Sequence, residues 1–175
     1  MKTLSTFLVA ILITGILQDH RGYIVKVGDK APEFYLENKE QSFLEKNQGK
    51  VIMLQFTASW CGVCLKEMPF IEKEIWETHK NNPNFLLIGL AKDTEQRPQR
   101  KKEIEIMIRK TGATYPILTD HKSKIFELFA EKNAGVTRNI IISQNGEIAF
   151  LTRLFEQEEF NEMKTIINEL LINNH

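Results

Sequence analysis

Apolar residues fall along this chain in two kinds of pattern. Val51-Ile-Met-Leu-Gln-Phe56 and Phe85-Leu-Leu-Ile-Gly-Leu-Ala91 are short and almost uninterrupted, as expected of strands covered on both faces. Elsewhere the apolar positions spread to a spacing of three and four. Met68, Ile71, Ile75 and Trp76 mark one helix, which Asn81-Asn-Pro-Asn84 brings to a halt. Lys101 to Lys110 reads as a second, amphipathic helix with Gly112 at its C-cap. A short extended piece is predicted at Tyr115-Pro-Ile-Leu118 and a helix from Lys124 to Glu131. Asn139 to Ser143 and Glu147 to Arg153 flank Gln-Asn-Gly, and Asn-Gly between two apolar runs is a strong hairpin signal. An amphipathic helix from Phe160 to Ile172 closes the pattern. Strands separated by helices, then a hairpin and a last helix, describe an α/β fold: a central sheet with helices on both faces.

The amino end differs from everything after it. Lys2 precedes the apolar run Phe7 to Leu17, which has the length of a signal-peptide core and falls short of the ~20 residues that cross a bilayer. Residues 1–20 are therefore expected to be a signal peptide or short N-terminal anchor, placing the domain outside the cytoplasm. No clean small-x-small cleavage site precedes Asp19, so retention as a membrane tether stays open. Gly28-Asp-Lys-Ala-Pro-Glu-Phe34 forms an extended lead-in, because the residue before Pro32 is biased away from helix. With 42% hydrophobic residues in 175, the remainder, residues 24–172, suits one domain with its own core. Lys+Arg and Asp+Glu are equal at 23 each, so no net field draws nucleic acid. Two cysteines cannot build a disulfide scaffold, which leaves stability to packing.

Those two cysteines, Cys61 and Cys64, stand in Phe56-Thr-Ala-Ser-Trp-Cys-Gly-Val-Cys-Leu-Lys-Glu-Met-Pro69, between the first predicted strand and the helix after it. A cysteine at the start of a helix faces unpaired N–H groups and the positive end of the helix dipole, and both stabilise a thiolate. The thiolate is the form that attacks a disulfide. Cys61 is the expected nucleophile, and Cys64, one turn inward, is close enough to resolve a mixed disulfide. Two other readings stand beside this one. The pair could be small core residues, or it could share a metal across a dimer, although His20, His79, His121 and His175 show no paired ligand spacing within the chain. Pro69 costs a helix one hydrogen bond, which suits a first turn that is aimed separately from the rest.

Trp60-Cys-Gly-Val-Cys64 followed by Leu-Lys-Glu67-Met-Pro69, with the lead-in Gly28-x-x-Ala31-Pro32-x-Phe34, resembles the thioredoxin-like fold and, within it, the exported reductases of TlpA and ResA type. The resemblance spans about residues 24 to 172. It implies thiol-disulfide exchange through a redox-active Cys61–Cys64 disulfide, with protein disulfides or thiols as substrates, an upstream thiol electron donor, and no cofactor. It marks Glu67 as an acidic group that accepts a proton from Cys64 or tunes it; the plainer alternative is a solvated helix carboxylate. Gln55 occupies the place of the buried acid of cytoplasmic thioredoxins. Trp60, Val136, Thr137 and Arg138 are the expected substrate-binding positions.

One departure from the family pattern is large. Counting back from Gly146, Thr137 falls where these proteins carry a cis-proline. A cis bond before a non-proline residue costs roughly 2.5 to 4 kcal/mol, so a trans peptide is predicted there, in a loop that still offers backbone to an extended substrate. Arg138 is expected either as a cation beside Cys61 or as an exposed loop arginine. Peroxiredoxins share the fold, and a thiol peroxidase is the leading alternative function. Its Thr-x-x-Cys arrangement is missed by one residue, since Thr57 lies four positions before Cys61.

Overall fold

The computed structural model describes residues 21–36 and 39–172; the proposed signal or anchor, residues 1–20, lies outside them. The two apolar runs form β1 (Val51–Thr57) and β2 (Phe85–Lys92), adjacent and parallel. A third parallel strand, β3 (Ile117–Asp120), extends the sheet beyond β2. On the other side of β1 the Asn-Gly hairpin supplies β4 (Arg138–Ile142) and β5 (Ile148–Arg153), both antiparallel to their neighbours. The order is β3-β2-β1-β4-β5. β1, the central strand, is buried along its whole length, which explains its lack of polar alternation.

Strand alternation divides the core in two. Ile52, Leu54 and Phe56 face a layer holding Tyr23, Phe34, two short helices, α1 (Phe43–Lys46) and α5 (Phe126–Phe129), and the aromatic contacts between them. Val51 and Met53 face the longer helices. These are α2 (Gly62–Ile71), which continues through a π-turn at Glu72–Trp76 into α3 (Glu77–His79), then α4 (Lys101–Thr111) and α6 (Gln157–Ile172). Removing a side chain such as Phe126 or Met107 from water contributes roughly 1.5–3 kcal/mol.

Several elements follow their local signals closely. Gly112 ends α4 at φ 71°, in the left-handed region a C-cap requires. Pro69 lies inside α2, and the helix widens into the π-turn three residues later. The helix expected over Lys124–Glu131 is shorter. The Asp120 carboxylate accepts from the N–H groups of Ile125 and Phe126 at 2.8 Å each, and Ala130 leaves the helix to bridge with Tyr23. α1 has no counterpart in the sequence reading, since four residues carry too little periodicity to be seen. None of the helices among the described residues is long and apolar enough to cross a membrane.

Candidate active site

α2 begins where the chain turns out of β1. The Cys61 N–H donates to the Ala58 carbonyl at 3.0 Å, and Cys61 takes the N-cap position with φ −89° and ψ 105°. Its Sγ accepts from the Cys64 N–H at 3.2 Å, the bond a serine or aspartate makes at an ordinary N-cap. One turn brings Cys64 back beside it: the Cα atoms are 5.2 Å apart and a disulfide joins the sulfurs. The two ends of the bridge differ in surroundings. Cys61 is half-buried, whereas Cys64 is fully buried among the apolar side chains beneath.

Thr137 closes the site from the loop before β4. Its hydroxyl lies 3.0 Å from Cys61 Sγ and 2.9 Å from Cys64 Sγ. The described residues contain no cis peptide, and Thr137 instead takes φ 67°, an uncommon conformation for a β-branched residue. Both of its backbone groups are engaged: the N–H donates to the Phe56 carbonyl at 3.1 Å and the carbonyl accepts from the Leu154 N–H at 2.9 Å. In that loop neither the N–H nor the carbonyl of Val136 enters a hydrogen bond among the described residues.

Glu67 is no solvated carboxylate. It is 2% exposed and lies under the sheet, where Asn139 Nδ2 donates to its Oε1 at 2.7 Å and Gln55 Nε2 approaches its Oε2 at 3.4 Å. Desolvation pushes its pKa up to about 7, against the opposing pull of those two hydrogen bonds. Behind it, Tyr115 donates to Gln55 Oε1 at 2.7 Å, and Asn139 Nδ2 also donates to Thr152 Oγ1 at 2.9 Å. Asn139 Oδ1 is buried, with no hydrogen-bond partner among the described residues. The network is assembled by register: Gln55 opposes Asn139 across the β1–β4 pair, so both side chains leave on the face that carries Glu67.

The next residue back belongs to the other face. Arg138 opposes Phe56 and is 1% exposed, so it is not an exposed loop arginine. Its guanidinium donates to the carbonyls of Gly135 at 2.8 Å and Arg21 at 2.6 Å and lies over the Tyr23 ring, 4.4 Å from the centroid. No hydrogen bond or ion pair joins it to either cysteine, and burial lowers its pKa. Its place is to fasten Arg21–Tyr23 under the loop that carries Thr137. Tyr23 is held in turn by its own hydroxyl, which donates to the Thr152 carbonyl at 2.5 Å.

The outer rim is apolar. Trp60 is 41% exposed, with Arg97 over its ring at 4.3 Å from the centroid; Val63 and Leu154 are also exposed. Gln99 ties this rim to the loop after β2, accepting from the Ser59 N–H at 2.8 Å while its own N–H donates to Asp93 at 2.8 Å. Asn139, Tyr115, Thr152 and Gln99 were not singled out in the sequence. Only the hydrogen bonds that link them to Gln55, Glu67 and Ser59 in three dimensions distinguish them. Thr57, the residue a peroxidase reading would enlist, turns away: its hydroxyl lies 3.6 Å from Met68 Sδ and 3.7 Å from Met107 Sδ, in the helical layer. Among the described residues, no group of three His, Cys, Asp or Glu side chains is placed to hold a metal ion.

Comparison with known proteins follows the same lines. The Redoxin family profile matches residues 26–167. The thiol-disulfide oxidoreductase ResA of Oceanobacillus iheyensis is 28% identical over 155 residues, covering 84% of this chain and 76% of that protein. ResA of Geobacillus kaustophilus is 26% identical over 127 residues, 71% of this chain and 67% of its own length. A solution structure of a candidate protein disulfide isomerase from Bacteroides thetaiotaomicron superposes with a TM-score of 0.78 at 46% identity, covering 88% of this chain and 95% of that one. A crystal structure of a candidate thiol:disulfide interchange protein DsbE from Chlorobium tepidum shares the fold, with a TM-score of 0.67 at 23% identity over 84% of this chain and 99% of that chain. The chain belongs to the redoxin family, as a thioredoxin-like thiol-disulfide oxidoreductase of the TlpA and ResA type.

Proposed function

We propose that this oxidoreductase reduces disulfides of exported or envelope proteins, with Cys61 as the attacking sulfur and Cys64 as the resolving one. What supports the assignment of roles is the asymmetry of the bridge. Cys61 is half-buried and caps α2, where a thiolate gains the Cys64 N–H and the helix dipole; Cys64 is buried and out of a partner's reach. In the first step the Cys61 thiolate bonds to one sulfur of the substrate disulfide and the other leaves as thiolate. Cys64 then bonds to Cys61 Sγ and expels the second substrate sulfur, so the substrate gains two electrons and the pair ends oxidised. Glu67 serves as the proton acceptor for Cys64 in this second step, in its ionised form above about pH 7.

An extended substrate segment is read as pairing with the free N–H and carbonyl of Val136, its side chains resting on the exposed Trp60. An upstream thiol donor returns the pair to the dithiol. Export and tethering rest on the apolar run Phe7 to Leu17. The roles are tested by trapping. Cys64→Ser should accumulate a mixed disulfide with a scrambled model substrate through Cys61, and Cys61→Ser should exchange nothing, as read by non-reducing gels and mass spectrometry. Equal trapping by both variants would overturn the assignment.

A further inference from the structure

We infer that the Thr137 hydroxyl is a catalytic hydrogen-bond donor shared by the two sulfurs, serving whichever of them carries the negative charge. The inference rests on the assignment of Cys61 as nucleophile and goes beyond it by giving the site a second, side-chain source of thiolate stabilisation. Its basis is geometric. One oxygen lies at 3.0 Å from Cys61 Sγ and 2.9 Å from Cys64 Sγ, and since bridged sulfurs carry no hydrogen, the hydroxyl must be the donor. It has one proton, so the two sulfurs compete for it. A disulfide sulfur is a weak acceptor; a thiolate is a strong one.

The position is built to hold that oxygen in place. Thr137 is 1% exposed, its N–H and carbonyl are fixed by Phe56 and Leu154, and its φ of 67° is one that glycine would adopt freely and a β-branched residue does not. A loop that needed only the turn would have no use for the side chain. Here the strained backbone points the hydroxyl between the sulfurs.

The consequences follow through the exchange cycle. In the dithiol form the hydroxyl donates to the Cys61 thiolate, alongside the Cys64 N–H at 3.2 Å. When Cys61 becomes bonded to a substrate sulfur it ceases to be a good acceptor, and rotation of the hydroxyl about the threonine Cβ–Oγ1 bond lets the same proton turn to Cys64 as that sulfur ionises. The hydroxyl proton is not transferred at any step. Because the donor favours the reduced, ionised pair over the disulfide, it also makes the disulfide easier to reduce.

The test compares wild-type protein with Thr137→Val, which keeps the branched shape, and compares Thr137→Ser with Thr137→Ala, which differ only by the hydroxyl. Cys61 alkylation by iodoacetamide, followed against pH, should shift in Thr137→Val so that the rate at acidic pH falls about tenfold, the size of a lost hydrogen bond to a charged group. Equilibration with glutathione should show the variant's disulfide harder to reduce by about tenfold, which is about 30 mV. Thr137→Ser should stay near wild type, and Thr137→Ala should follow Thr137→Val. A wild-type pH profile in Thr137→Val, or identical profiles for the Ser and Ala variants, would overturn the inference while leaving the cysteine roles standing. An ordinary thiol titration for Cys61 in the wild-type protein would overturn both.

Discussion

Replacing Glu67 by glutamine removes one buried ionisable group without changing the volume of the site, and its effect on stability has a definite sign. The carboxyl titrates at about 7 in the folded protein against 4.5 for an ordinary glutamate, chiefly because burial disfavours the charge. Between those two pH values the folded state holds a proton that the unfolded chain has lost, so the wild-type domain should lose stability as pH rises from about 4.5 to about 7. A displacement of about 2.5 pH units at 1.36 kcal/mol each gives about 3 kcal/mol in full above pH 7, a large share of a domain's net stability. Glutamine never pays this cost. It brings instead a pH-independent one, because its amide meets the Gln55 Nε2 that the carboxylate accepts, softened if the Asn139 amide turns over and offers its unpartnered Oδ1. The assay is urea unfolding of the oxidised proteins at half-unit steps from pH 4 to 8.5. The difference between Glu67→Gln and wild type cancels the titration of Asp120 and the other common groups, and it should rise in favour of the variant through that window, then flatten. A difference that stays level with pH would refute the reasoning, whatever its sign.

Two further outcomes are expected. Arg138→Met should cost about 1–3 kcal/mol of unfolding free energy by chemical denaturation, through the lost bonds to Gly135 and Arg21 and the stacking on Tyr23. It should leave the Cys61 alkylation profile nearly unmoved, and a shift of a full pH unit would show that its charge reaches the sulfur. Gly89→Ala in β2 should destabilise by about 1–3 kcal/mol in urea, because an added Cβ would sit 3.0 Å from Ile117 Cγ1 on the neighbouring strand. An unchanged midpoint would mean that β3 yields freely.

Short-range chemistry made much of this protein readable from its residues alone. The apolar runs of β1 and β2, the C-cap glycine of α4, the Asn-Gly hairpin and the cysteine pair at the mouth of a helix each depend on residues within a few positions of one another, and each lies where its signal points. α5 is shorter than its apolar pattern because a capping carboxylate and a bridge to Tyr23, both supplied from outside the segment, fix its ends.

The polar half of the site lay beyond that range. Thr137 is 76 residues from Cys61 and Asn139 is 72 from Glu67; the family resemblance marks the place of Thr137 without showing that its hydroxyl meets both sulfurs, and nothing local distinguishes Asn139 from an ordinary strand residue. What assigns Asn139 is the β1–β4 register, which sets it opposite Gln55 and sets Arg138 opposite Phe56. A slip of one residue would exchange their faces, putting the arginine beneath Glu67 and the amide against Tyr23. The sequence by itself determined which two sulfurs react and at which helix end, since capping and the helix dipole act over a single turn. Only the tertiary structure decided how their neighbours meet them, with the Thr137 hydroxyl against both sulfurs and Glu67 buried and held by Asn139, because those contacts are set by strand pairing and packing across the whole domain.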